Sequence, residues 1–262
     1  MGVVNVTPDS FSDGGLWLDP QAAVAHGLEL HAEGAAILDV GGESTRPGAD
    51  PVDEAEELRR IEPVVGGLRE QAPGAVISID TMKASVAEAA LRAGAAYVND
   101  VTALRGDPRM ADVVAAAGCE VCLMHMAGTP RTMQEDPSYG DVVGEVAAFL
   151  SERAEAAIAA GIAPERIQLD PGIGFGKTLE HNLELLRRLD EIAAIGFPVV
   201  AGLSRKRFLG AITGREEPAA RVAASVAGAV LAWERGASVL RVHDVAATVD
   251  ALKVAAATLG AP

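Results

Sequence analysis

The chain has 262 residues, 49% of them hydrophobic, a length that suits one α/β barrel better than two small domains. A formal net charge of -15 opposes non-specific binding to nucleic acid or to an anionic membrane surface, because the long-range field repels polyanions. With aromatic residues at 3%, the core must be built from Ala, Val, Leu and Ile, which suits a parallel sheet covered by helices on both faces and disfavours all-β folds.

From the N-terminus onward, short β-branched or aliphatic runs alternate with longer Ala/Leu/Glu/Arg segments of helical period, and eight such βα units are counted. The strands are predicted near Gly2 to Val6, Ala36 to Val40, Val76 to Asp80, Ala96 to Asn99, Glu120 to Met124, Ile167 to Asp170, Pro198 to Ala201 and Val239 to Val242. Asp19-Pro20 opens the first helix, Ala93-Gly94-Ala95 ends the third, and Arg235-Gly236-Ala237 ends the seventh, predicted over Ala219 to Trp233. With no linker between units, the expectation is a single domain, a (β/α)8 TIM barrel with its chemistry on the loops after the strands. An open doubly wound sheet is the other arrangement that the alternation permits.

The N-terminus carries no basic region or cleavage signal, and no apolar run approaches the roughly 20 residues of a bilayer span, so a cytoplasmic setting is expected. Cys119 and Cys122 lack a second pair for a zinc site and read as small buried apolar side chains.

Polar residues gather where the strands end: Asn5, the run Glu43 to Arg46, Asp80, Asn99, His125, Asp170, the run Ser204 to Lys206, and Arg241 with His243. In a barrel, Asp80, Asn99 and Asp170 would converge on one pocket of carboxylates and an amide, suited to a flat heterocycle rich in N–H groups. The bland reading is that they cap helices or serve turns. Arg46, Lys206, Arg241 and His243 stand out in an acidic chain and read as an anion site, since guanidinium forks meet phosphate or carboxylate oxygens in pairs. Arg205 and Arg207 read equally well as surface ion pairs.

The loop after strand one holds Thr7, Asp9, Ser10, Phe11 and Ser12 and ends at Gly14-Gly15; the loop from Thr45 to Pro51 is rich in Pro and Gly. Both are candidate lids. The run Asp170 to Thr178 ends in Gly-Lys-Thr, but Gly172 has three residues before Gly176 where a phosphate-binding loop needs four, so its glycines are assigned to a tight turn near a ligand. His26, His31 and His181 fall on predicted helices and read as surface or half-buried residues, leaving His125 and His243 as site candidates.

At these positions the sequence resembles the dihydropteroate synthases over nearly its whole length. The resemblance is carried by the stretch from Met1 to Gly15 and by Asp39 to Gly48, with Ser78-Ile79-Asp80-Thr81, Asn99-Asp100-Val101, Met124-His125, Asp170 to Phe175, Ser204-Arg205-Lys206 and Arg241-Val242-His243-Asp244 completing the set. It implies that Asp80, Asn99, Asp170 and Lys206 hold a pterin whose ring faces are covered by Met124 and Arg241. It further implies a pyrophosphate site at Asn5, Arg46, Arg241 and His243, with Asn5 as ligand of a Mg²⁺ cofactor, and a p-aminobenzoate pocket shaped by Phe11, Thr45, Arg46, Pro47 and Phe175. Arg207 stands where many members have a serine near the p-aminobenzoate carboxylate, so it would supply charge there instead. Asp80, Lys206, Arg46, Arg241 and His243 would carry the catalysis, an SN1-like loss of pyrophosphate followed by attack of the aryl amine, and the family suggests a homodimer.

Two other readings remain. One is a pterin barrel transferring methyl from methyltetrahydrofolate to a corrinoid, which would need neither the first loop nor the anion cluster. The other is a paralogue that binds pterin without turnover.

Overall fold

Strands buried on both faces must be apolar throughout except where one side chain in two faces a polar interior, and the strands here follow that rule. In the computed structural model, which describes residues 1–7, 19–45 and 49–260, they are β1 (Gly2–Asn5), β2 (Ile37–Gly41), β3 (Val76–Asp80), β4 (Tyr97–Asp100), β5 (Glu120–Met124), β6 (Ile167–Asp170), β7 (Val199–Ala201) and β8 (Ala237–Leu240). They form one eight-stranded parallel sheet in the order β1 to β8. The sheet is open in that order; outside the named strands an isolated parallel bridge pairs Gly2 with Val242, with Val3 N donating to Val242 O at 3.1 Å and Val242 N to Met1 O at 2.9 Å.

Seven strands lie within one residue of their predicted bounds at either end, and of these β3, β5 and β6 match them. The eighth begins and ends two residues earlier than Val239 to Val242 suggests. The alternation of apolar residues runs past its end, and Arg241 N still donates to Ala201 O at 3.0 Å, so sequence pattern and backbone ladder both blur that boundary.

The helices that cover the sheet are α1 (Pro20–Ala32), α2 (Glu54–Gln71), α3 (Ala84–Ala93), α4 (Met110–Ala117), α5 (Val142–Ala159), α6 (Leu179–Arg187), α7 (Leu189–Ala193), α8 (Arg207–Thr213), α9 (Val222–Glu234) and α10 (Val245–Leu259). Their ends have local causes. Asp19 caps α1 ahead of Pro20, Asp53 caps α2 by accepting from Glu56 N at 2.8 Å, and Gly94 ends α3 in the left-handed region. The helix predicted over Ala219 to Trp233 opens as a single 3-10 turn, Pro218–Arg221, before α9 begins.

Between helices and sheet lies a continuous core of Val, Leu, Ile and Ala, including Leu38, Val40, Ile61, Leu68, Ile79 and Val98. Inside the sheet, Tyr97, Cys122 and Val200 pack with Met1, Ile37, Val76 and Val239 as a separate apolar floor. Both cysteines are free and buried, and burial pushes the Cys119 thiol up to about 11 and raises that of Cys122 well above its ordinary value. The register then aligns Asn5 with Gly41, Gly41 with Asp80, and Asp80 with Asn99, while Met124 meets Asp170. With a side-chain period of two, these residues share the inner face at the C-terminal ends of the strands.

Candidate active site

Asp39 organises the site, although it lies within β2 rather than at its exit. Fully buried, its carboxylate accepts from Ser78 Oγ at 2.6 Å, Asn99 Nδ2 at 3.1 Å and Arg241 Nε at 2.6 Å. A buried charge with one counter-ion and two further donors is a satisfied group, and it fixes the planes of the Asn99 amide and the Arg241 guanidinium together. No site role was assigned to Asp39 from the sequence. The available signal was an ionisable residue inside a strand with both faces covered, where the charge must find partners.

Arg241 reaches on from Asp39 to Asp80, its Nη2 lying 2.9 Å from Asp80 Oδ2. The other Asp80 oxygen, Oδ1, is buried without a hydrogen-bond partner. Burial pushes the Asp80 carboxyl above the usual range, with Arg241 opposing that shift. For Arg241 burial works against the charge, yet Asp39 and Asp80 outweigh it and the guanidinium stays protonated.

On the opposite wall, Asp170 Oδ1 accepts from Gly172 N at 2.7 Å, and burial raises its pKa while Lys206 draws it down. Lys206 follows β7. Its Nζ donates to Ile173 O and sits 4.6 Å from the centre of the Phe175 ring. Burial lowers the ammonium to about 8, with Asp170 resisting and Arg241 adding to the shift. A methyl group on Gly202 would stand 3.8 Å from both Arg241 Cβ and Lys206 Nζ, so these two cations flank one glycine.

Met124 packs with Val101, Met126 and Met133 in a small apolar cluster that Met82 and Phe175 cover. Glycine is required in the turn beside it. Gly172 has φ +65°, and a methyl group there would lie 1.9 Å from His125 O. The tight turn expected from the sequence is therefore present, with Lys177 at its end and Thr178 capping α6.

The structure brings Asn5, Asp80, Asn99, Met124, Asp170, Lys206, Phe175 and Arg241 to the strand exits. His243 stands nearby, its Nδ1 3.0 Å from Ser204 Oγ. Thr45 is half-buried in the loop after β2, and Arg207 is exposed as the first residue of α8. Phe11, Arg46 and Pro47, like Asp9, Ser10 and Ser12, lie outside the described residues. Arg205 forks onto Asp244 at 3.1 and 2.6 Å, an ion pair that is mostly buried rather than on the surface. His125 is buried against Lys177, with 2.9 Å between Lys177 Nζ and His125 Nδ1. Burial and then Lys177 lower the imidazole to about 3, so it is neutral at ordinary pH. Lys177 itself is lowered by burial to about 7. The sequence gives Lys177 no site role, because nothing local marks a lysine that folds inward. His31, by contrast, bonds its own helix end through Ala35 O at 2.9 Å, and His181 joins the α6 capping box.

A hydrogen-bonding floor of carboxylates and an amide, walled by a methionine and an aromatic ring and flanked by two cations, suits a planar polar heterocycle carrying an anionic tail. Comparison with known proteins agrees. A family model described as "Pterin binding enzyme" matches residues 1–243. A dihydropteroate synthase of Neisseria meningitidis serogroup C is 52% identical over 256 residues, covering 97% of this chain and 90% of that protein. The structure of Xanthomonas albilineans dihydropteroate synthase with 4-aminobenzoic acid superposes with a TM-score of 0.93 at 55% identity, covering 100% of this chain and 93% of that one. A second structure from that organism, in complex with 7,8-dihydropteroate, gives a TM-score of 0.89 at 51% identity, covering 100% of this chain and 94% of the other. The chain thus belongs to the pterin-binding enzyme family and, within it, to the dihydropteroate synthases.

Proposed function

We propose that this chain condenses 6-hydroxymethyl-7,8-dihydropterin pyrophosphate with p-aminobenzoate, giving 7,8-dihydropteroate and pyrophosphate. The observation that carries this reading is Asp80, held by Arg241 through one oxygen and buried with the other unpaired, an acceptor suited to a ring N–H. Asn99 gives its amide N–H to Asp39 and keeps its oxygen for the ligand. Asp170 gives one oxygen to Gly172 N and keeps the other. Met124 and Arg241 would cover the ring faces, and Lys206 would add a donor.

In the reaction the bond from the pterin CH₂ to the pyrophosphate oxygen breaks, and its electron pair leaves with the pyrophosphate. The resulting cation spreads into the ring, the aryl amine attacks the CH₂ carbon, and the amine nitrogen releases a proton. Arg241 commits Nε and Nη2 to Asp39 and Asp80, so Nη1 is the group left to meet developing negative charge, together with Lys206, His243 and Arg46. The Asp80 carboxylate opposes the positive charge on the ring. Phe11, Thr45, Arg46, Pro47, Phe175 and Arg207 would form the p-aminobenzoate pocket and keep water from the cation.

A divalent cation fits this chemistry. Among the described residues no three His, Cys, Asp or Glu side chains gather as a metal site, whereas Asn5 offers a hard amide oxygen on the same wall as Asp80. Asn5 with phosphate oxygens and water suits Mg²⁺, which when bound would supply positive charge to the departing pyrophosphate.

The wider reading is of one domain whose sheet closes as a (β/α)8 barrel, supported by the Gly2–Val242 bridge. It includes a cytoplasmic homodimer; no described helix is long and apolar enough to cross a membrane, and Leu231 of α9 presents an exposed apolar side chain. The deciding experiment measures pyrophosphate release by the purified chain. Release that requires both p-aminobenzoate and Mg²⁺ is expected, and none under any condition would remove the proposal.

A further inference from the structure

Beside the site, a second charged cluster, whose side chains the proposed reaction does not use, joins three elements. Lys83, just after β3, places Nζ 2.7 Å from Glu43 Oε2 and 2.5 Å from Glu57 Oε2. Glu57 is fully buried in α2 and also accepts from Thr81 Oγ1 at 2.7 Å, so it is tied to the residue that follows Asp80. Glu43 belongs to the loop leaving β2, and its second oxygen accepts from Val52 N at 3.0 Å, linking the two ends of that loop. Next to it, Arg60 Nη1 donates to Gly42 O at 2.9 Å. A methyl group on Gly42 would come within 2.7 Å of Ile61 Cγ2, so the loop base lies flat on α2.

This loop carries Thr45. Two carboxylates held by one ammonium repel each other once it is gone, so the start and end of the loop depend on Lys83. We infer that Lys83 is a positioning residue for the second substrate, fixing the start and end of the loop after β2 through Glu43 and Glu57 so that Thr45, next to the start, is held for capture of an aromatic amine carrying a carboxylate. The inference rests on the proposed function for the identity of that substrate. The pterin floor, built on Asp39, Asp80 and Asn99, does not include these groups.

The test compares wild type with Lys83→Met and Lys83→Arg, using p-aminobenzoate kinetics, calorimetric affinity for the pterin substrate, and hydrogen–deuterium exchange of the peptide spanning 42–53. Lys83→Met should raise the p-aminobenzoate KM about tenfold, leave kcat and pterin affinity within about twofold, and speed exchange of that peptide, with Lys83→Arg restoring part of each change. An unchanged KM, pterin affinity falling in step with it, or unaltered exchange would overturn the inference. Should Lys83→Met fail to fold, Glu43→Gln removes the same ion pair while keeping an oxygen for Val52 N, and the same KM and exchange criteria apply. If wild-type protein releases no pyrophosphate, the functional reading fails and the exchange comparison alone decides the role of Lys83.

Discussion

Asp39 and Asp170 stand on different walls of the site and should fail differently. Asp39→Ala leaves Arg241 with Asp80 as its remaining carboxylate and strips an acceptor from Ser78 and Asn99. A loss of about 3–5 kcal/mol in urea unfolding is expected, because one side of a buried ion pair has gone. Asp170→Ala would instead remove the acceptor proposed for the ligand, and pterin binding should weaken by on the order of 2–4 kcal/mol in calorimetry. Lys206 sets a pH limb. Its pKa is lowered by burial to about 8, so the charge that meets an anionic ligand is present below that pH and lost as pH rises through it. Affinity for the pterin pyrophosphate should therefore fall on the alkaline side, and Lys206→Arg should move that limb upward. The residues assigned to the site from the sequence, Asp80, Asn99, Asp170, Lys206 and Arg241, sit at the end of an apolar run or a few residues beyond it. Asp39 and Lys177 were hidden because one interrupts a strand and the other folds in from the start of a helix.

At the scale of elements, the strands were legible because a sheet buried on both faces leaves long β-branched runs between helical segments. The short helices were not. Arg188 both ends α6 and begins α7, so no Gly or Pro marks the break, and α8 is too short for its periodicity to separate from the loop around it. Two glycines in the left-handed region separate strain from collision. Gly118 has φ +60° with nothing within 4 Å of an added methyl group, whereas the same group on Gly172 meets His125 O. Gly118→Ala should cost about 1 kcal/mol of stability, from backbone strain alone. Gly172→Ala should cost upward of about 3 kcal/mol and displace the turn that carries Phe175. Urea titration of both variants checks the contrast.

Across the whole molecule, a net charge of -15 is combined with a cluster of cations at one end of the sheet. Added salt should therefore raise Tm by screening self-repulsion while weakening binding of the pterin pyrophosphate, opposite signs that calorimetry can read on one sample. The contrast between floor and rim has a consequence for change over time. Since Ser78, Asn99 and Arg241 share the one Asp39 carboxylate, none of these four can be exchanged alone without loosening the interior. The two ends of the loop after β2 are held by Lys83, Glu43 and Glu57, none of which bonds Asp39. With the aryl-amine pocket at the rim, as proposed, a compound blocking it would be escaped by single substitutions there, whereas one seated on the floor would meet residues that the chain cannot give up one at a time.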